Sequence, residues 1–257
     1  MSNIASIPSL LNVPDRCSDC PIRNRAVCSY STPNELAELD KIKFYRDFDP
    51  GQEIVGEGEM TQSLGSIVEG VVALHKVMED GRRQMVGLLF PSDFLGRPLR
   101  PSAPYDAVAI TQVRMCLFHR SQFEEMLSQQ QTLERRLLEM MLDELDAARE
   151  WMLLLGRKTA RERLASFLMI LARRAAAMEQ KAMSDGLTFA LPLTREAIAE
   201  YLGITIETVS RQFSSLRKEG IIALDNLRTV RVLRLAELYE ITHDDPADFG
   251  DGALNSA

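Results

Sequence analysis

The stretch LTREAIAEYLGITIETVSRQFSSLRKEGII, residues 193–222, constrains the fold of this chain more than any other feature. Thr194 has the hydroxyl that a helix N-cap requires, and it precedes a helix that ends at Leu202. Gly203 supplies a tight turn, and Thr205 is placed to cap a second helix. Two short helices joined by a glycine turn are typical of a helix-turn-helix unit, which reads DNA with its second helix.

The second helix divides into a buried side and an exposed side. Val209 is followed at i+4 and i+7 by Phe213 and Leu216, so these apolar side chains share one face. The opposite face presents the candidate base contacts Glu207, Ser210 and Arg211. Arginine donates two hydrogen bonds to guanine, glutamate accepts from an amino group of a base, and serine reaches a base edge. The pattern predicts sequence-specific binding to double-stranded DNA.

The segment after this helix, IIALDNLRTVRVL, predicts a β-hairpin wing. Its arginines and the hydroxyls near the two helix starts are candidate contacts to DNA phosphates. The full set comprises Thr194, Thr205, Thr208, Arg228 and Arg231. Residues 157–234 hold 14 Lys and Arg against 8 Asp and Glu, although the whole chain has a formal net charge of −7. A basic block in an acidic chain indicates that one domain meets a polyanion.

Upstream of the basic block, short β-rich runs alternate with glycines. Examples are SIVEGVVALHKV, RQMVGLLF, YDAVAIT and VRMCLF. The run MEDGRR, residues 78–83, predicts a hairpin turn with Gly81 in a left-handed conformation. Several short strands at this spacing are typical of a compact antiparallel roll.

A long helix is predicted over residues 132–156, which contain no proline and no glycine before Gly156. Seven turns exceed the usual length of a globular helix, and apolar residues recur at spacings of three and four. The pattern favours pairing with a second copy, and a core helix packed only on its own sheet is the alternative. The predicted dimer interface comprises Leu137, Met141, Leu145, Ala148, Met152 and Leu155. A second helix is predicted after Thr159, which forms a capping box with Glu162.

These elements predict an α+β chain divided into five parts. They are a cysteine-bearing segment (1–35), a β-roll (36–131), a dimerisation helix (132–156), a winged helix-turn-helix (157–240) and an acidic, disordered tail (241–257). The N-terminus lacks the basic region of a signal peptide, and no segment reaches the roughly 20 apolar residues that span a bilayer. We therefore expect a cytoplasmic protein with no membrane partner. The sequence lacks a Walker loop, a dinucleotide-binding glycine pattern and a nucleophile elbow, so no enzyme is expected.

Three of the four cysteines lie in the stretch CSDCPIRNRAVC, residues 17–28. Cys17, Cys20 and Cys28 have the spacing C-x2-C-x7-C, and Cys116 lies on a predicted strand of the roll. Disulfides are rare in the reducing cytoplasm, so a metal site is favoured. Four thiolates bind either zinc or an iron–sulfur cluster, and the number of ligands does not decide between them. We expect the polar, proline-bearing segment to be held mainly by its metal.

A glycine-rich β-roll, a long helix and a C-terminal winged helix, in that order, resemble the CRP/FNR superfamily of bacterial transcription regulators. The resemblance covers nearly the whole chain. The sequence E-T-V-S-R in the second helix is similar to the FNR branch, whose base-reading residues correspond to Glu207, Ser210 and Arg211. The resemblance implies a homodimer that binds a palindrome with TTGAT-like half-sites, with the long helix as the dimer interface.

The cysteine pattern is similar to that of FNR-type regulators, and the gap of seven residues before Cys28 is similar to the FnrL/FnrN-type branch. The resemblance implies an oxygen-labile [4Fe–4S] cluster held by Cys17, Cys20, Cys28 and Cys116, in a regulator of anaerobic or microaerobic metabolism. Zinc, or thiols that respond directly to oxidants, is the alternative. Ala148 stands where some relatives carry an acidic interface residue, which leaves the degree of oxygen lability open.

The same resemblance implies activation through a loop of the roll that contacts RNA polymerase. The exposed turn at residues 78–83 is the candidate for this contact. Its charged side chains are Glu79, Asp80, Arg82 and Arg83.

Members of the superfamily that bind cyclic nucleotides hold the phosphate with Gly-Glu and a later Arg-Ser/Thr-Ala stretch. The corresponding segment here is DFLGRPLRPSAPYDAVAIT, in which Arg97 follows Gly96. Asp106 occupies the later position, where a carboxylate is expected to repel a phosphate. Arg100 is a register-shifted substitute that the intervening prolines disfavour. A cyclic nucleotide is therefore not expected as the ligand.

Overall fold

The structure is a computed structural model that describes residues 16–226 and 228–244. A 3-10 turn, Cys17–Asp19, and a loop lead into helix α1, Pro33–Ile42. Thr32 caps α1, because its hydroxyl accepts a hydrogen bond from the Glu35 backbone and the Glu35 carboxylate accepts one from the Thr32 backbone. The helix thus starts just before residue 35, where the predicted boundary lies.

The predicted antiparallel roll is confirmed. Its strands are β1 (Lys43–Phe48), β2 (Glu53–Val55), β3 (Ser63–Glu69), β4 (Val72–Val77), β5 (Arg83–Leu89), β6 (Phe94–Leu95), β7 (Asp106–Ala109) and β8 (Val113–His119). One sheet has the order β1-β8-β3-β6 and the other β2-β7-β4-β5, and the paired strands are antiparallel. Gly81 lies in the β4–β5 turn at φ 85°, as the sequence predicts.

Three helices follow the roll, namely α2 (Arg120–Gln129), α3 (Gln131–Arg157) and α4 (Ala160–Met178). The 27 residues of α3 give it a length of about 40 Å. It extends one residue beyond each end of the predicted long helix. The predicted capping box at Thr159 and Glu162 is confirmed at the start of α4. In the described part of the chain no helix is both long and apolar enough to cross a membrane.

The two faces of β8 lie in different cores. Met115 and Leu117 are buried between the two sheets. Cys116 and Phe118 point to the other face, where they pack with residues of α1, α2, α3 and the loop that precedes α1. This alternation follows from the two-residue period of a strand, and it places Cys116 under the cysteine-bearing loop.

The C-terminal unit is a winged helix, as predicted. Its elements are β9 (Thr188–Ala190), α5 (Arg195–Leu202), α6 (Ile206–Lys218), β10 (Ile222–Asn226), β11 (Thr229–Val232) and α7 (Leu235–Glu240). The wing sheet has the order β10-β11-β9. Residues 241–244, which we assigned to the tail, belong to this unit, because Thr242 is buried and Asp244 forms an ion pair with Lys158. The rest of the predicted tail lies outside the described residues.

One face of α3 exposes a stripe of apolar side chains. Its members are between 45% and 73% exposed, and they are Leu138, Leu142, Leu145 and Met152. Arg149 continues the three-and-four spacing within the stripe and pairs with Asp146 at 2.9 Å. A helix face of this kind leaves its leucines in water until another surface covers them.

This stripe is rotated around the helix from the predicted dimer interface. Leu137 is only 8% exposed, because it packs with the roll and the cysteine-bearing loop of its own subunit. Met141 and Leu155 are also partly covered by their own subunit. The predicted interface residues that remain exposed are Leu145, Ala148 and Met152.

Arg163 of α4 hydrogen-bonds the end of α3 to the C-terminal unit. The Arg163 guanidinium donates to the Lys158 carbonyl at 2.9 Å, to the Leu155 carbonyl at 2.7 Å and to the Leu202 carbonyl at 2.9 Å. These carbonyls lie at the C-terminal ends of α3 and α5, where a cation is favoured by the helix dipole. Arg163 therefore ties the end of the long helix to the helix-turn-helix.

Candidate metal centre and nucleic-acid interface

The four cysteines lie together on the outer face of the β1-β8-β3-β6 sheet. Cys17 and Cys116 are buried, Cys20 and Cys28 are half-buried, and all four are free thiols. The Cys116 thiol interacts electrostatically with each of the other three. Two segments about ninety residues apart are thus brought to one place, as the sequence pattern predicts.

The cysteine-bearing loop is more firmly packed than we expected from its polar sequence. Ile22, Ala26 and Val27 are at most 3% exposed and belong to the core that contains Cys116. The Arg23 guanidinium donates three hydrogen bonds of 2.9–3.0 Å to the carbonyls of Cys28, Ser29 and Ser31. We expected a metal to be the main anchor of this segment, and the structure adds a second anchor, because the three buried apolar side chains fix the loop on the core.

Burial governs the protonation of the thiols. It raises the pKa of Cys17 to about 12, with a further contribution from the hydrogen bond to Asp40, and it raises the pKa of Cys20, Cys28 and Cys116. Lys43, which pairs with Asp40, acts in the opposite direction on Cys17 and Cys116. Thiols with raised pKa values are protonated at neutral pH, so a metal that binds them releases protons.

Four cysteine thiols are the donors that this site offers to a metal. Zinc in a tetrahedral thiolate site has Zn–S bonds of about 2.3 Å, which bring the sulfur atoms to within about 4 Å of one another. Within residues 16–226 and 228–244, no three His, Cys, Asp or Glu side chains are arranged to hold one metal ion. Four thiols gathered from two segments match the donor set of an iron–sulfur cluster as well as that of zinc, so the identity of the metal stays a prediction.

Two hydroxyls next to Cys116 were missed at the sequence level. Tyr45 on β1 and Ser66 on β3 both pair with Cys116 on β8. Their hydroxyl oxygens are buried and have no hydrogen-bond partner among the described residues. The sequence around these two residues does not predict this position, because only the register of the strands places them beside Cys116.

The cysteine-bearing loop also touches the C-terminal unit. The Arg25 guanidinium donates to the carbonyl of Ala177, in the last turn of α4. Arg136 of α3 donates to the carbonyl of Arg25 at 2.8 Å. One residue between Cys20 and Cys28 therefore contacts both the long helix and the unit that carries the helix-turn-helix.

The recognition helix α6 has the two faces that the sequence predicts. Val209, Phe213 and Leu216 are buried, and the three candidate base contacts, Glu207, Ser210 and Arg211, are exposed together. Thr205 caps the helix by accepting a hydrogen bond from the Thr208 backbone. Hydrogen bonds from the Glu207 backbone and from Thr205 lower the pKa of Glu207, so its carboxylate is ionised and accepts hydrogen bonds.

The candidate phosphate contacts lie around this helix. Thr194 accepts a hydrogen bond from the Ala197 backbone at 3.2 Å, which leaves its hydroxyl proton available as a donor. The Thr205 and Thr208 hydroxyls share a 3.1 Å hydrogen bond. On the wing, Arg228 is exposed and Arg231 pairs with Asp225 at 2.9 Å. The threonines thus lie at the starts of the two helices and the arginines on the wing, and contact with phosphate stays a prediction.

The candidate polymerase-contact turn is only partly free. Glu79 is exposed, and Arg82 pairs with Asp80 within the turn at 2.8 Å. Arg83 points instead to the C-terminal unit, where its Nε lies 3.3 Å from a carboxylate oxygen of Glu200 on α5. Arg83 is therefore better described as an interdomain contact than as part of an exposed partner surface.

A cavity of about 210 Å³ lies in the roll where the cyclic-nucleotide segment was aligned. Arg97 and Arg100 line it. Asp106, which we expected to repel a phosphate there, instead accepts a hydrogen bond from the Glu57 backbone at 2.7 Å and is not among the cavity's lining residues. The aspartate argument is therefore corrected. The cavity is smaller than the roughly 300–1,000 Å³ of typical ligand pockets, and the absence of a cyclic nucleotide stays a prediction.

Comparisons with known proteins agree with this architecture. Residues 45–130 match the Cyclic nucleotide-binding domain family, and residues 162–241 match the Crp-like helix-turn-helix domain family. The Transcriptional activator protein FnrL of Cereibacter sphaeroides is 53% identical over 248 residues, which cover 96% of this chain and 97% of that protein. The Nitrogen fixation regulation protein FixK of Bradyrhizobium diazoefficiens is 42% identical over 208 residues, which cover 81% and 86% of the two chains.

A solved structure of a relative has the same fold. The structure of FixK2 from Bradyrhizobium japonicum superposes with a TM-score of 0.72 at 34% identity, covering 79% of this chain and 99% of that chain. These relatives are transcription factors and not enzymes. With its roll, long helix and winged helix in this order, the chain belongs to the CRP/FNR family of DNA-binding transcription regulators.

Proposed function

We propose that this protein is an oxygen-responsive transcriptional activator whose Cys17, Cys20, Cys28 and Cys116 hold a [4Fe–4S] cluster. The observation that carries the proposal is the convergence of these four thiols, from two distant segments, on one face of the roll. The relatives FnrL and FixK, a transcriptional activator and a nitrogen fixation regulator by name, support a role in activating transcription. The genes it controls are proposed to be those of anaerobic or microaerobic metabolism. We place the protein in the cytoplasm, where thiols stay reduced.

The DNA-binding form is proposed to be a homodimer. The exposed leucines of α3 supply a self-complementary stripe, and two copies paired along it present two recognition helices to a palindrome. Glu207, Ser210 and Arg211 then read TTGAT-like half-sites, and the threonines and wing arginines fix the position on the phosphates. The turn at residues 78–83, without Arg83, is the surface proposed for RNA polymerase.

The coupling between the metal site and DNA is proposed to run through the cysteine-bearing loop. An iron–sulfur cluster bound there supplies a group that oxygen destroys. The cysteines fix the loop, the loop holds Arg25 between Arg136 of α3 and the end of α4, and these contacts favour one orientation of the long helix. When the loop is released, Arg25 leaves both helices and the dimer is disfavoured.

Anaerobic purification tests the proposal. The protein should contain about four iron atoms and four sulfides per chain and absorb visible light, and both should be lost in air together with binding to palindromic DNA. Cys116→Ser should lose iron, dimer and specific DNA binding, while the far-UV circular dichroism of the apo wild type is retained. A colourless protein with one zinc per chain, or an active Cys116→Ser variant with a full complement of iron, would contradict the proposal.

A further inference from the structure

Cys116 is flanked by two hydroxyl side chains in one row of the sheet. Tyr45 on β1 and Ser66 on β3 are its cross-strand partners, one on each side. Residues directly opposite one another in antiparallel strands point to the same face, with Cβ atoms about 4.5–5.5 Å apart. Tyr45, Cys116 and Ser66 therefore all face the cysteine-bearing loop.

Both hydroxyls are buried without a hydrogen-bond partner among the described residues. Ser66 is 2% exposed, and the hydroxyl oxygen of Tyr45 is buried although the residue as a whole is half-buried. A buried hydroxyl without a partner destabilises a fold, because it has lost its hydrogen bonds to water. Two of them beside the same cysteine point to an acceptor that belongs to this site.

The chemistry around Tyr45 identifies that acceptor. Tyr45 lies opposite Cys116 in the sheet and packs against the core that contains Cys116, Cys20 and Cys28. A phenol hydroxyl donates one hydrogen bond through its proton. Both hydroxyls lie beside a cysteine, whose sulfur accepts hydrogen bonds readily when it carries the negative charge of a metal-bound thiolate.

We propose that the hydroxyls of Tyr45 and Ser66 donate hydrogen bonds to sulfur at the metal site, principally to that of Cys116, and thereby set its reduction potential and its lability in air. The inference rests on the proposed function, since it assigns positioning residues to the same site. Hydrogen bonds to sulfur withdraw negative charge and favour the reduced state. Loss of these donors should make the site easier to oxidise.

The test compares Tyr45→Phe, Ser66→Ala and the double variant with the wild-type protein, all purified anaerobically with their metal. Iron per chain should stay at the wild-type level. The double variant should bleach in air several-fold faster, and its one-electron equilibrium should shift by about tenfold, which corresponds to a fall of about 59 mV. Ser66→Thr, which keeps the hydroxyl, should restore the wild-type potential.

Two controls separate this role from ordinary packing. Tyr105→Phe removes a phenol that lines the cavity of the roll, and it should leave the potential unchanged. In the apo protein, Tyr45→Phe should leave the free energy of unfolding unchanged or raised, because the hydroxyl has no partner there.

Three outcomes would overturn the inference. They are an unchanged potential and bleaching rate in the double variant at full iron content, an equal shift in Tyr105→Phe, or an apo protein destabilised by Tyr45→Phe. A wild-type protein without iron would overturn the proposed function and this inference with it.

Discussion

The helix-turn-helix and the cysteine site differ in how far apart their parts lie along the chain. The caps, the turn and the exposed face of the recognition unit all come from residues 193–222. The cysteine site joins residues 17–28 to Cys116, and Tyr45 and Ser66 come from two further strands. The DNA-reading surface is therefore local in sequence, whereas the cysteine site needs both the docked loop and the register of three strands. In the proposed function, the regulated site is the one assembled from distant segments.

The largest effect should come from the helix that joins the two regions. Leu142→Glu puts a carboxylate into the exposed stripe of α3 in both copies. Losing a buried leucine costs about 1.5–3 kcal/mol per copy, so the dimer dissociation constant should rise at least about 100-fold. Light scattering of the iron-loaded protein measures this, and iron content should not change, because Leu142 does not pack with the cysteines.

Ala147→Glu is the matched control for this prediction. It adds the same charge to α3 at an exposed position outside the stripe. The variant should remain dimeric and bind the palindrome normally. A dimeric Leu142→Glu, or a monomeric Ala147→Glu, would show that the interface lies on another side of the helix.

The next largest effect is expected in the recognition unit, whose exposed face should read bases through Arg211. Arg211→Ala removes an exposed donor, and specific binding should weaken by about 1–3 kcal/mol, mainly at one guanine. Titration of the wild-type site and of sites substituted at each position measures the loss. Arg217→Ala, on the last turn of α6, is the control and should leave base preference intact. Equal weakening at all sites by Arg211→Ala would make that residue a phosphate contact.

The smallest effect concerns the contact between the two regions. Arg25→Ala removes the donor to the end of α4, where a cation contributes about 0.3–1 kcal/mol, so DNA affinity of the iron-loaded protein should fall about two- to fivefold. Iron content should be unchanged. Arg16→Ala, an exposed arginine of the same segment, should leave affinity at the wild-type value. Unchanged affinity in Arg25→Ala would place the coupling elsewhere.

The local parts of the fold could be predicted from the sequence. Thr194 and Thr205 cap the helices that directly follow them, and Gly203 ends the first of these helices. Residue type and spacing therefore suffice to identify the helix-turn-helix. The four cysteines were found because cysteines are few in this chain. In both cases the informative residues are chemically distinctive.

The remaining features depend on which side of an element its own subunit covers. Periodicity shows that α3 has an apolar face, but Leu137 and Leu138 are adjacent, and only packing decides which of them is exposed. The register of the strands places Tyr45 and Ser66 beside Cys116. Asp106 accepts a hydrogen bond from the Glu57 backbone and does not line the cavity of the roll. These are contacts between residues distant in sequence, which no local pattern records.

The three hydrogen bonds of Arg163 have a mechanical consequence. They tie the C-terminal end of α3 to the C-terminal end of α5 in the helix-turn-helix, so a tilt of α3 would carry the DNA-binding unit with it. A tilt of only about 5° at the cysteine end of a lever about 40 Å long displaces its tip by roughly 3.5 Å. That distance is close to the spacing of about 3.4 Å between successive base pairs. Under the proposed coupling, a tilt of a few degrees at the roll is therefore enough to move the recognition unit by about one base-pair step.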